Sequence, residues 1–292
     1  MRYLTPLSLA ATLFSATPML AAEGAGSVAV VNAPLAHIAA TLGGDALEII
    51  FPIPAGIDPA YWKPEPEQVQ LCQQADLILL NGAGYAGWAE TEMLPRARLV
   101  DTTSAVRDQL IPLNGDGAIH KHGPEGEHAH DGAYAFTTWL DPSLAKAQVD
   151  AAAEAFKHRW PTLAPDIEEG RQALHVEINE MDAAFRAFFE RNADRQIFVS
   201  HPVYQYLDRA YPGTFISLHW EPDADPGAEQ WAAFEATLDS PSHPLMLWEA
   251  EPISATADRL HDLDVDFIVL SPMAGVTLDG DLFRALAAQT EH

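Results

Sequence analysis

Residues 27–52 read SVAVVNAPLAHIAATLGGDALEIIFP. An apolar run, Ser27–Asn32, is followed by an amphipathic stretch, Pro34–Leu42, and by a second apolar run, Leu47–Pro52. Apolar runs of strand length separated by amphipathic stretches of helix length are the pattern of βαβ units, which build a mostly parallel sheet. The pattern continues along the chain. In the first half, strands are also predicted over Asp76–Asn81 and Arg98–Asp101, with helices over Pro66–Gln74 and Tyr85–Glu92. In the second half, strands fit Gln196–Ser200, Thr214–Leu218, Leu245–Glu249 and Asp266–Leu270. Helices fit Val203–Tyr211, Ala228–Leu238, Ala255–Leu263 and Leu282–Gln289. Each half thus carries about four strand–helix units.

The middle differs. From Pro142 to Asp194 no strand signal occurs, and Pro161 and Pro165 divide the stretch into two helical pieces. Between Asp166 and Asn192, Ile167, Leu174, Ile178, Met181, Phe185, Phe188 and Phe189 recur at spacings that give one apolar stripe. Such a helix would be about 40 Å long at 1.5 Å per residue, enough to run beside two lobes. The expected fold is α/β, with two lobes joined by a long linker helix. Each lobe holds a mostly parallel sheet of about four strands flanked by helices, and a cleft opens at the strands' carboxyl ends. The boundaries follow: a signal peptide over 1–22, an N-terminal lobe over 23–141, a helical linker over 142–194 and a C-terminal lobe over 195–292.

The signal peptide rests on Arg2, a mostly apolar Leu4–Leu20, and small residues at Ala21 and Ala22 before Glu23. Pro6 and Pro18 flank an apolar stretch too short and interrupted for a membrane span. The single cysteine, Cys72, excludes a disulfide framework, offers no lipid-attachment thiol after the leader, and packs as a small hydrophobe. A soluble, exported, monomeric protein of a bacterial periplasm is expected. Removing residues 1–22 takes away one basic residue and no acid, so the net charge goes from −26 to −27. A surface this acidic repels nucleic acid and anionic lipid and concentrates cations, and it fits a saline habitat equally well.

Ile119–Asp131 reads IHKHGPEGEHAHD, which places four of the chain's twelve histidines, His120, His122, His128 and His130, in two His-x-His pairs. Neutral imidazole suits zinc and similar metals, and a flexible loop carrying such pairs can wrap an ion. No GxSxG, HExxH, phosphate-binding glycine loop or CxxC is present, so no enzyme is expected.

Several segments, in order, resemble the zinc/manganese-type solute-binding proteins of bacterial ABC transporters. They are VAVVNAPLAHIAATLGGDALEIIFPIPAGIDP, YWKPEPEQVQLCQQADLILLNGAGYAGW, the His-rich acidic stretch before WLDP at Trp139–Pro142, IFVSHPVYQYLDRAYPG and WEAEPISATADRL. The resemblance covers nearly all of the chain after residue 22. It implies a periplasmic component that captures zinc and delivers it to a membrane permease. It also implies three histidine ligands, and two are absent. Ala60, in GIDPAYW, and Thr137, in AFTTWLDP, stand where the family has histidine; His201 keeps the third. Alanine offers no donor, and a neutral hydroxyl is a poor one for zinc.

Three explanations stay open. The site has moved, combining His201 with His120, His122, His128 and His130. Or the cleft takes a metal already chelated by a small molecule, walled by Tyr61, Trp62 and Trp139. Or the chain is an accessory module that binds a partner protein. Glu251, in WEAEP, is the carboxylate candidate by position within the resemblance, and Glu249 on the same segment is inseparable from it. His219 reads as surface or structural. His37 falls on the first predicted helix, and like His158, His175, His243, His261 and His292 it reads as solvent-exposed.

Overall fold

The computed structural model describes residues 25–113, 119–121, 127–129, 134–213, 215–238, 243–275 and 280–291. Strand β1 (Gly26–Val30) leads into α1 (Ala33–Gly43) and β2 (Leu47–Ile50), as the opening stretch predicts. Asn32 starts α1 by accepting a hydrogen bond from the Leu35 amide at 3.0 Å, and the proline after Ala33 costs the first turn no bond. Then come α2 (Pro66–Gln74), β3 (Leu77–Leu80), α3 (Trp88–Thr91) and β4 (Leu99–Asp101). The first sheet has the order β2-β1-β3-β4 with every pair parallel.

Helix α3 is shorter than the Tyr85–Glu92 expected. Ala83 and Ala86 both take φ of 55°, a left-handed conformation that a helix cannot continue through. Beyond β4, the His-rich stretch departs from the loop expected of it. Strand β5 (Ile119–Lys121) pairs antiparallel with β6 (Glu127–Ala129), with His120 opposite His128. His122 and His130 lie outside the described residues.

Helices α4 (Pro142–Arg159) and α5 (Ala164–Arg191) follow, the first capped by Asp141, which accepts from the Ser143 amide at 2.8 Å. The 28 residues of α5 bury Ile167, Leu174, Ile178, Met181, Phe185, Phe188 and Phe189, the stripe its periodicity predicts. The chain continues through β7 (Ile197–Val199), α6 (Gln205–Ala210), β8 (Phe215–Ser217), α7 (Ala228–Thr237), β9 (Leu245–Trp248), α8 (Ser254–Asp262), β10 (Asp266–Val269) and α9 (Leu282–Ala288). The second sheet is again parallel, in the order β10-β9-β7-β8. Helix α6 starts later than Val203 because the Val203 amide turns back onto the His201 carbonyl at 2.8 Å.

The second sheet is buried on both faces. Ile197, Val199, Leu245 and Leu247 join the core shared with α5, while Phe198, Met246 and Trp248 face Trp220, Trp231 and Phe234. Cys72 is buried in the first core, as its apolar context suggests. Helix α9 follows the second lobe in sequence but packs on α5 and touches α1 through Phe283, edge-on to the ring of His37. No helix among the described residues is long and apolar enough to cross a membrane.

Candidate metal centre

Three adjacent parallel strands end at the same place. After β7, Ser200 bonds through its amide to the Leu247 carbonyl at 2.9 Å, and His201 comes next. After β9, the first residue is Glu249, whose amide donates to Ser200 Oγ at 3.4 Å. After β8, the chain turns sharply at His219, which has φ of 57°, and the Trp220 amide donates to the Ser200 carbonyl at 2.8 Å. That turn delivers Glu221. The carboxyl ends of β9, β7 and β8 thereby place Glu249, His201 and Glu221 around one point, the position at which open parallel sheets hold ligands.

His201 Nδ1 lies 2.7 Å from Glu249 Oε1, and its Nε2 lies 3.3 Å from Glu221 Oε1. One donor atom from each of the three falls within 4.8 Å of the others. His201 is only 4% exposed, whereas both glutamates are partly exposed. Burial works against its imidazolium. The Glu249 hydrogen bond and the charges of Glu249 and Glu221 outweigh that cost and raise its pKa above the ordinary value. One imidazole nitrogen and two carboxylates suit a divalent cation, whose charge the two glutamates balance while water completes the shell. The ion would have to displace the proton on His201.

The first lobe supplies the opposite wall. A narrow cavity of about 20 Å³ runs between Tyr61, Phe136 and Thr137 on one side and His201, Pro202 and Val203 on the other. Burial, followed by the charges of Asp58 and Glu249, pushes the Tyr61 phenol far above its usual range, so it stays protonated. The Phe136–Thr137 segment is held by Asn81, which donates to the Phe136 carbonyl at 2.9 Å and accepts from Asn32 and Gln148 at 3.1 Å each. Trp139 donates across the seam to the Pro272 carbonyl at 2.8 Å.

Where the resemblance expects two more ligands, the chain does other things. Thr137 is buried, and its hydroxyl donates to the Val203 carbonyl at 2.6 Å, a bond between lobes. Ala60 packs partly buried against the core, and its amide donates to Asp58 at 2.9 Å. Trp62 stacks edge-on to Trp88, and neither it nor Trp139 lines the cavity; Tyr61 does.

Of the predicted ligands, His201 stands at the centre. Glu251 is exposed and belongs to no metal-competent group among the described residues, while its neighbour Glu249 does. Of the His-rich stretch, His120 and His128 are described only as paired backbone. Its roots are clear. An antiparallel bridge joins Pro112 to Tyr134, and a chain neighbour of each, Leu113 and Ala135, lines the cavity. The stretch therefore leaves and rejoins the fold at the cavity wall. Glu221 was not anticipated. Its segment, SLHWEPD, drew attention only to His219, whose ring lies 6.4 Å from that of His201 and edge-on to it.

The family described as zinc-uptake complex component A, periplasmic (ZnuA), matches residues 28–291. Among curated proteins, the zinc-binding lipoprotein AdcA of Streptococcus pneumoniae is 21% identical over 268 residues, covering 88% of this chain and 52% of its own length. The chain thus spans about half the length of the curated relatives it matches first. Among solved structures, the metal-dependent lipoprotein YcdH of Bacillus subtilis superposes with a TM-score of 0.74 at 17% identity, covering 90% of this chain and 96% of that one. Zn(II)-bound AdcA from Streptococcus pneumoniae gives a TM-score of 0.70 at 19% identity, covering 91% of this chain and 58% of that one.

Proposed function

We propose that this chain, which belongs to the periplasmic zinc-uptake component A family, is the solute-binding component of a metal ABC importer and takes zinc at His201, Glu221 and Glu249. The observation that carries this is the convergence of those three side chains at the carboxyl ends of β7, β8 and β9. The bound ion is then delivered to a membrane permease. One relative described above, AdcA of Streptococcus pneumoniae, is named zinc-binding and its solved structure is Zn(II)-bound, and this donor set accepts zinc. Carboxylate-rich sites also admit manganese or nickel, so selectivity is weaker than at a site of three histidines.

The histidines of 119–131 act as a capture segment. Their stretch is rooted at the cavity wall, and imidazoles there raise the local metal concentration before transfer to His201. A free ion is favoured over a chelate because a cavity of about 20 Å³ holds little more than one water-sized group. The protein works in a bacterial periplasm, as a monomer that meets its permease there.

Calorimetric titration of zinc into chelator-stripped protein tests this. Tight stoichiometry is expected to fall by one equivalent in His201→Ala. Unchanged stoichiometry and affinity in His201→Ala would overturn the assignment.

A further inference from the structure

A second group of donors lies elsewhere in the fold. Helix α5 presents Glu177, which is buried with a relative exposure of 4%, within the otherwise apolar stripe of Leu174, Ile178 and Met181. Helix α1 approaches α5 closely because Gly170 offers no side chain; a Cβ there would sit 2.5 Å from the Thr41 carbonyl. That contact brings His37 over Glu177, with Nε2 2.8 Å from Oε2. The ring of His37 is oriented by Phe283, packed edge-on at 5.7 Å. Asp281, two residues before Phe283, supplies the third donor, and one ligand atom from each residue lies within 4.8 Å of the other two. His37 is therefore mostly buried and paired, not the exposed residue expected from the sequence.

A hydrogen-bonded pair alone leaves this arrangement incomplete. Glu177 is a carboxylate buried in an apolar stripe, and a buried carboxylate is costly unless it is well compensated. Adding Asp281 brings a second negative charge to the same point. Its present partner, Arg284, forms an ion pair in which both side chains are more than 40% exposed, a contact worth little and easily exchanged.

From this we infer that His37, Glu177 and Asp281 form a second, structural site for a divalent cation, clamping α9 onto α1 and α5. One neutral imidazole and two carboxylates leave no net charge around a doubly charged ion. The site shares no residue with the group at His201 and does not depend on it. Its consequence is mechanical: the ion ties α9 to α1 and α5.

Crystals of the full chain soaked in zinc and measured at the zinc absorption edge test this directly. An anomalous peak is expected within about 2.0–2.2 Å of His37 Nε2 and of the Glu177 and Asp281 carboxylates. Glu177→Gln should erase that peak and leave one at His201, whereas His201→Ala should do the reverse. In solution, zinc should raise the melting temperature of the His201→Ala protein, and adding Glu177→Gln should remove the rise. No peak between His37 and Glu177 at saturating zinc overturns the inference, whatever is seen at His201. A peak there with none at His201 sustains it while defeating the transport site.

Discussion

The hydroxyl of Thr137 donates to the carbonyl of Val203 at 2.6 Å, joining the first lobe to the second where the sequence resemblance leads one to expect a metal ligand. The seam is held by this bond, by Trp139 on the Pro272 carbonyl, and by Tyr206, whose hydroxyl donates to the Ala135 carbonyl at 2.8 Å. Thr137→Val keeps the shape and leaves the Val203 carbonyl without this donor, so a loss of about 1–3 kcal/mol is expected in urea unfolding of the metal-free protein.

The two glutamates should matter to metal and their neighbour should not. Glu221→Gln and Glu249→Gln each remove one charge from the shell of the ion, and zinc affinity is expected to fall at least about ten-fold, or 1.4 kcal/mol, for each. Glu251→Gln should leave affinity unchanged, because Glu251 is exposed and outside the group. Competition against a chromophoric chelator reads both effects.

His201 gives the metal-free protein a pH signature. Its pKa is raised in the fold, despite burial, by Glu249 and Glu221. A raised value means that the charged pairing stabilises the fold fully below the unfolded value of about 6.5 and is lost as pH rises through the folded value. The stability gap between the native chain and His201→Gln should therefore be widest in mild acid and close as pH rises through the folded value, as denaturant titrations would show. Zinc affinity runs the other way. Below the folded pKa it should drop up to about ten-fold per pH unit, since the ion must expel that proton.

Replacing His120, His122, His128 and His130 with serine separates capture from binding. The first tight equivalent should keep its affinity within about three-fold, while weaker equivalents disappear and loading from dilute zinc slows. Stopped-flow loading and calorimetric stoichiometry measure the two effects. A first equivalent weakened a hundred-fold would make the stretch part of the site itself.

The fold was legible because its signals are local. Strands such as Leu77–Leu80 and Leu245–Trp248 are buried on both faces and read as unbroken apolar runs, and the stripe of α5 is periodic over its whole length. His201 was legible from its place at a strand end. Its partners were not, because strand order in the sheet differs from order in the chain. Glu221 and Glu249 flank His201 only because β8 and β9 lie on either side of β7. Glu251 and Glu249 could not be told apart, since two residues of backbone past β9 decide which one faces the histidine. His37 was misjudged for a related reason. Its partner Glu177 lies 140 residues away, and only the close packing of α1 on α5 at Gly170 brings them together.

The donor set at His201 is the central claim, and zinc-edge X-ray absorption of the Glu177→Gln protein loaded with one equivalent of zinc tests it most directly. A single imidazole with the remaining donors oxygen, at about 2.0–2.2 Å, is expected from His201, Glu221 and Glu249. Two or more imidazoles around that ion would contradict it, and would move the site to the histidines of 120–130.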